Sequence, residues 1–368
     1  MLIRFWVEGY RCFKERAEID LTDKKNYQFG KECVRGDFLD KMIILGGNNA
    51  GKTSFGYAMT DIVSTAGGFS KDIGQRNRRC FLNRDADTPF ATFHYDFAHK
   101  GSVISYEYSK SSPDAIVAES LRKDRKTVFS YRLDDGSAPE FDGSALQSSV
   151  FESIDGSESL IRVLSKTRFI DRDSPEGVIL EFANHSLYYL AMWKMDVHVG
   201  VIDDHADAEK YIIENRLVND FASFLSEVAS IDIRLRADSS SLTVAMEKGD
   251  VPFKDCVSRG TMILSRMFCW IHRCKGRDAL MFYDDFDDMF HYRTAENAIR
   301  RIIAGSRAQC IFVTHNTGLA SNDFLRPDCC FLMDGGRIRS FSSLTDKDIR
   351  KGNNLEKMLR NGEFDSIG

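Results

Sequence analysis

The sequence predicts an α/β fold: a mixed core sheet flanked by helices, an antiparallel β lobe beside it and a largely helical insertion. Three observations predict it. Residues 42–66 and 259–313 each alternate short buried apolar runs with amphipathic helices, the pattern of strands joined by helical crossovers. Between them, residues 91–133 change to alternation of period two, as in an antiparallel meander. Towards residue 228, apolar residues recur at helical spacing.

Met1 to Val7 reads as a first strand, followed by Gly9-Tyr10-Arg11-Cys12-Phe13-Lys14. Ala17 to Leu21 alternates again, so the two runs predict a hairpin. Met42-Ile43-Ile44-Leu45 reads as a buried strand entering Gly46-Gly47-Asn48-Asn49-Ala50-Gly51-Lys52-Thr53. That stretch fits G-x-x-x-x-G-K-[ST], the phosphate-binding loop. Phe55, Ala58, Met59, Ile62 and Val63 then predict one helix to about Ala66. Residues 67–88 read as a loop. Arg76, Arg78, Arg79 and Arg84 crowd it, and solvated arginines are the reading preferred over a binding patch.

Ala91, Phe93, Tyr95 and Phe97 alternate with polar residues, and Val103–Tyr108 and Val128–Leu133 continue the meander. Asp134-Asp135-Gly136-Ser137 and Asp155-Gly156-Ser157 are turn signals. Leu160–Leu164 and Leu187–Met195 read as helical, and Ile213, Leu217, Phe221, Phe224, Leu225 and Val228 mark one helix face. Ile231–Leu235 and Leu242–Met246 read as returning strands. Ser258-Arg259-Gly260-Thr261 opens a helix with Ile263, Leu264, Met267, Phe268 and Ile271 on its apolar side. Ala279–Tyr283 is a buried strand ending in Asp284-Asp285, and a helix follows to about Ile303. Cys310–Val313 is the next strand and ends in Thr314-His315-Asn316. Cys329–Met333, Asp334-Gly335-Gly336 and Arg337–Phe341 form a hairpin signal. The expected divisions are 1–139 with the loop and meander, 140–228 helical, 229–345 closing the core, and 346–368 as a tail.

The loop has a physical rationale. Its glycines let successive N–H groups curl around one anion, and the following helix adds its dipole. Lys52 is expected to reach the β- and γ-phosphates, and Thr53 to offer a hydroxyl to Mg²⁺. Hydrolysis needs a carboxylate for the cation, a group that orients water and a sensor of the γ-phosphate. Asp284, Asp285 and His315 are the candidates, each at the end of a buried strand.

Composition sets bounds. The chain has 368 residues and a net charge of -5, so global charge does not mark a nucleic-acid binder. Nucleic acid is neither required nor excluded. Nine cysteines lack any C-x-x-C pair, which points to reduced thiols in a cytoplasm. Cys269, His272 and Cys274 are spaced as small side chains of a helix face rather than as a zinc site. The first residues read as a strand, not a signal peptide, and no apolar run approaches membrane length.

The order phosphate loop, long insertion, Ser-x-Gly-Thr, Asp-Asp and Thr-His resembles the ABC/SMC-like ATPase heads. It is most similar to the AAA-family ATPases of abortive phage infection, the AbiL/RloA type, related to OLD-family ATPases. Leu2–Lys14 is similar to that family's opening motif, so Arg11 counts among the expected nucleotide contacts. Ile44–Ser54 is similar to its loop, which implies contacts from Gly47, Asn48, Asn49, Ala50, Gly51, Lys52, Thr53 and Ser54. Ser258–Thr261 is similar to its signature, Phe282–His291 to its Walker B segment, with Asp287 and Asp288 in the D-loop, and Thr314–Thr317 to its histidine switch. Residues 348–362 are similar to its C-terminal ending. The resemblance implies ATP and Mg²⁺ as cofactors. It also implies a homodimer or higher oligomer with ATP sandwiched between heads, where Ser258 and Gly260 of one subunit cap the γ-phosphate held by the other.

The family usually carries Glu where this chain has Asp285. A side chain one methylene shorter holds water less well, because orientation is sensitive to such distances. Tyr10 and Cys12 also replace Phe and Ser of the opening motif. A further nucleotide-contacting loop is expected around Asp87. No nuclease cluster is visible, so the resemblance implies a separate effector, a nuclease or toxin. The expected role is an ATP-driven sensor or switch in antiphage defence. Two alternatives stand beside it: a RecF/SMC-like DNA repair ATPase, which would need a basic channel or long heptads, and a nucleotide-binding scaffold with little hydrolysis.

Overall fold

A computed structural model of the chain describes residues 1–69, 80–141, 154–190, 197–200, 208–238 and 241–364. Two seven-stranded sheets carry it. The core sheet runs in the order Val197–Gly200, Leu187–Leu190, Leu280–Asp284, Gln309–Thr314, Lys41–Leu45, Cys330–Asp334, Arg337–Ser340. The middle five strands are parallel and the two edge strands antiparallel. Every residue of the three central strands is buried. This explains their continuous apolar runs, since parallel strands are covered on both faces.

The second sheet is the antiparallel lobe. Its meander runs from Glu140–Phe141 back through Lys126–Arg132, Ala115–Lys123, Ser102–Ser112 and Ala91–His99 to the hairpin Leu2–Glu8 and Ala17–Asp20. Strand Ala115–Lys123 escaped the sequence reading because its apolar alternation is interrupted by Ala118, Glu119 and Ser120. Glu119 is inward nonetheless. It accepts hydrogen bonds from the Tyr106 and Tyr131 hydroxyls, each 2.8 Å, and from the Leu160 N–H at 2.7 Å. A buried carboxylate with three donors is a satisfied one.

The two sheets are joined by polar contacts. The Gln309 side chain accepts from the Leu2 N–H at 2.8 Å and donates to the Leu2 carbonyl at 2.9 Å. The Tyr95 hydroxyl donates to the Ala58 carbonyl at 3.0 Å. Asp61 collects the Lys110 ammonium, the Tyr108 hydroxyl and the Thr65 hydroxyl at 2.6, 3.0 and 2.8 Å. The lobe is thereby anchored to the helices that follow the loop.

Several expectations need correction. The helix after the loop is two, Lys52–Met59 and Asp61–Thr65. Thr60 divides them by donating its hydroxyl to the Gly56 carbonyl at 2.7 Å, a side-chain bond that competes with helix continuation. The helix face ending at Val228 likewise belongs to two helices, Ala208–Glu214 and Val218–Ala229, separated at Arg216, whose φ of 60° is left-handed. Leu187–Leu190 is a strand of the core sheet, not a helix. Periodicity cannot separate a four-residue apolar run from a buried helical turn, and pairing with Leu280–Asp284 decides it. Residues 191–195 of that expected helix lie outside the described residues. Ile231–Arg234 is irregular, and the strand there is Leu235–Ala237, which pairs with Leu242–Met246, itself paired on its other edge with Gly249–Pro252 in a small sheet. Residues 140–228 thus hold helices together with two strands of the core sheet.

Gly56 sets how closely the loop helix approaches the core. A Cβ there would lie 2.4 Å from Cε1 of Phe282, which is fully buried. Gly56→Ala is therefore expected to destabilise. Overpacking costs about 1–3 kcal/mol, more than the gain in helix propensity of about 1 kcal/mol. Thermal unfolding should report a lower midpoint, restored by adding Phe282→Leu.

Candidate functional site

The parallel register brings three strand ends to one edge of the core sheet. Asp284 lies opposite Val313, and Thr314 opposite Leu45. Gly46, Asp285 and His315 follow those ends directly, where open α/β sheets hold ligands.

The loop itself is shaped by backbone. Asn49 and Gly51 have φ of 66° and 101°, and Gly51 is the N-cap of the eight-residue helix without any side-chain cap. The first N–H groups of that helix therefore remain available to an anion. Two close approaches require glycine. A Cβ on Gly46 would lie 2.6 Å from the Met333 carbonyl, and one on Gly51 3.0 Å from Phe13 and 3.1 Å from the Cys12 sulfur. The opening turn thus packs directly onto the loop. Gly47, Asn48 and Asn49 are exposed, while Ala50, Thr53 and Ser54 are half-buried.

Lys52 is buried and arches over the loop. Its ammonium donates to the Gly46 and Gly47 carbonyls at 2.9 Å each and lies 3.4 Å from Nδ1 of His315. Burial lowers the lysine pKa, opposed by Asp285 and then Asp284. His315 Nε2 is 3.8 Å from Asp285 Oδ1, an ion-pair distance rather than a hydrogen bond.

Asp284 is fully buried. Burial raises its pKa to about 6, the neighbouring Asp285 adds to this, and the Thr53 and Tyr188 hydroxyls and Lys52 oppose it. Tyr188 donates to Oδ2 at 2.8 Å, whereas Oδ1 has no hydrogen-bond partner. A buried carboxylate oxygen left open beside a threonine hydroxyl and a lysine suits a hard divalent cation such as Mg²⁺. Asp285 sits at φ 45°, sparsely populated for a non-glycine residue. Burial and then Asp288 raise its pKa, against His315 and Lys52.

The structure therefore brings together Lys52, Thr53, Asp284, Asp285 and His315. Burial raises the Asp287 pKa, opposed by the Thr314 hydroxyl, while Asp288 is exposed. Arg11, at φ 50°, places its guanidinium 4.9 Å from the Tyr57 ring centroid on the loop helix. Ser258 has a local role. It is exposed and caps the helix Arg259–Arg273 by accepting from the Thr261 N–H at 3.2 Å. A Cβ on Gly260 would lie 3.1 Å from the Met289 carbonyl, so the signature turn rests on the D-loop segment. Asp87 is exposed in the turn before strand Ala91–His99. Arg76, Arg78 and Arg79 lie outside the described residues. Cys269 and Cys274 donate to the Ala208 and His185 carbonyls at 3.6 and 3.5 Å, and all nine cysteines are free thiols. Sequence reasoning missed Tyr188 and Tyr57. The β-prone Leu187-Tyr188-Tyr189-Leu190 run was the signal for Tyr188.

Residues 41–321 match the family model described as "AAA domain, putative AbiEii toxin, Type IV TA system". The chain belongs to this family. It is an AAA domain. Among solved structures it is similar to an SMC head domain from Thermotoga maritima, at 12% identity and TM-score 0.44, covering 92% of this chain and 98% of that one. It is also similar to an Smc head domain with an extended coiled coil, bound to the C-terminal domain of ScpA, derived from Pyrococcus furiosus. There the identity is 13%, the TM-score 0.46, and 98% of each chain is covered. No curated protein matches the chain. Among the described residues, no helix of this AAA domain is long and apolar enough to cross a membrane.

The raised pKa of Asp284 has a consequence for stability. A carboxyl whose folded pKa of about 6 exceeds its unfolded value of 3.8 binds protons on folding. Its contribution is fully present below pH 4 and lost as pH rises through 6. With no added nucleotide or divalent cation, Asp284→Asn should therefore stabilise the AAA domain at pH 8, by roughly 2–3 kcal/mol. The difference from wild type should vanish near pH 4. Thermal melts across that range check it.

Proposed function

We propose that this AAA domain binds and slowly hydrolyses ATP with Mg²⁺ and acts as a cytoplasmic switch in antiphage defence, controlling a separate effector nuclease or toxin. One observation carries the nucleotide reading: Lys52, Thr53, Asp284, Asp285 and His315 converge on one edge of the core sheet, next to an uncapped helix N-terminus. In this reading Gly47–Ser54 cradle the phosphates, Lys52 neutralises the β/γ oxygens, and Thr53 and Asp284 hold the cation. The cation supplies charge neutralisation at the γ-phosphate. Asp285 orients the attacking water, and His315 senses the terminal phosphate.

The family description, which names a putative AbiEii toxin and a Type IV TA system, supports the defence role. The DNA-repair alternative finds less support, since the longest described helix has fifteen residues and offers no extended coiled coil. The low-turnover scaffold keeps one observation in its favour, the short side chain of Asp285. The exposed Ser258 at a helix N-terminus favours a head-to-tail pair in which it reaches the partner's nucleotide.

Steady-state phosphate release tests the roles. Wild type should turn over slowly. Asp285→Asn should bind ATP but lose about 10²-fold in rate, the scale of general-base catalysis, and Asp285→Glu should be faster than wild type. Equal rates for wild type and Asp285→Asn would remove Asp285 from the mechanism.

Assembly has its own test. Light scattering should show ATP-dependent growth in mass for wild type. Ser258→Arg should abolish that growth while ATP affinity by titration calorimetry stays unchanged. A mass indifferent to ATP and to the substitution would remove Ser258 from the role of trans ligand.

A further inference from the structure

The carboxylate of Asp284 is held asymmetrically, and the holder comes from an unexpected strand. Tyr188 lies on Leu187–Leu190, parallel to Leu280–Asp284 with Tyr188 opposite Phe282 and Leu190 opposite Asp284. Residues 282 and 284 share a face of the sheet with Tyr188, so the tyrosine leans along the strand and donates its hydroxyl to Asp284 Oδ2 at 2.8 Å. The ring is clamped. It stacks on Phe282 at 5.8 Å and meets the Tyr57 ring of the loop helix at 4.6 Å. The Arg11 guanidinium also packs on the Tyr57 ring, 4.9 Å from its centroid. A buried carboxylate with a purely structural role would have both oxygens satisfied. Here one is tied and Oδ1 is left with no hydrogen-bond partner.

Resting on the reading of Asp284 as the cation ligand, we infer that Tyr188 is a positioning residue that sets cation choice, by tying up Oδ2 so that the carboxylate offers a single oxygen. The Tyr57 and Arg11 stack fixes the tyrosine, and so links the opening turn to the cation site. The chemistry is selective. Mg²⁺ demands near-ideal octahedral geometry and takes carboxylates through one oxygen, whereas Ca²⁺ accepts both oxygens in a looser shell. A carboxylate with one oxygen occupied therefore favours Mg²⁺. Freed of the hydroxyl, it can turn and offer both. Groups that hold a ligand in this way typically contribute 10–100-fold to metal affinity.

The experiment uses the full chain, a fluorescent ATP analogue, and titrations with MgCl₂ and CaCl₂ after measurement in EDTA. Tyr188→Phe keeps the ring and removes only the hydroxyl. It should leave nucleotide affinity in EDTA unchanged and raise the Mg²⁺ requirement about tenfold. The Ca²⁺ requirement should move less, so the Mg²⁺-over-Ca²⁺ preference falls. Tyr57→Leu, which loosens the clamp from the partly exposed side, should shift the same ratio in the same direction by a smaller factor. Folding of each variant is checked by its thermal midpoint. A folded Tyr188→Phe with wild-type cation preference overturns the proposal. If that variant does not fold, an unchanged ratio in Tyr57→Leu overturns it. Asp284→Asn separates the two levels. Should it keep the wild-type Mg²⁺ response, the cation-ligand reading of Asp284 itself fails. Should it lose that response while Tyr188→Phe does not, only the positioning role fails.

Discussion

Asp284 is a carboxylate placed at the end of a central strand with no exposure to solvent, and the surrounding arrangement follows from that constraint. An ionised buried acid is costly unless it is paired and hydrogen-bonded. Two elements answer it and one adds to it. The loop helix contributes Thr53 and Lys52, the neighbouring parallel strand contributes Tyr188, and Asp285 raises the cost from the next position along the chain. The balance falls short of full satisfaction, because Oδ1 has no partner. Such a deficit is what a ligand site looks like before the ligand's own charge is counted.

That arrangement depends on close packing beneath it. Gly56 lets the loop helix settle on Phe282, the residue two before Asp284. Tyr188 stacks on the same Phe282. Gly46 and Gly51 let the β-hairpin residue Met333 and the opening-turn residues Cys12 and Phe13 close against the loop. The antiparallel lobe is therefore in contact with the phosphate loop through its first turn. It is also bound to the loop helices through Tyr95 and the Asp61 cluster. A displacement of the loop cannot leave the lobe unaffected, because packed interiors transmit strain.

How much of this was legible in the sequence depended on whether a feature is local. The phosphate loop was legible, because its glycines and Lys52 act over eight consecutive residues between a strand and a helix. The acid pair and His315 were legible as ends of continuous apolar runs, which only buried parallel strands produce. The meander was legible from period two. Its strand Ala115–Lys123 was not, since Glu119 faces inward against the pattern and is acceptable only because Tyr106, Tyr131 and Leu160 meet it.

The sequence by itself determined the α/β class, the loop, the candidate ligands and their order along the chain. Tertiary structure alone decided that Leu187–Leu190 is a strand. A four-residue run carries too little periodicity, and its state is set by the edge of Leu280–Asp284 on which it pairs. With that pairing came the partner of Asp284. Tyr188 lies ninety-six positions from the residue it holds, and no spacing rule reaches across such a separation. Tertiary structure also decided that Arg11 stacks on Tyr57 and that Ser258 stands exposed as the cap of the helix Arg259–Arg273. Those facts follow from how the opening turn, the helices and the core sheet pack, and packing is a property of surfaces brought together in space.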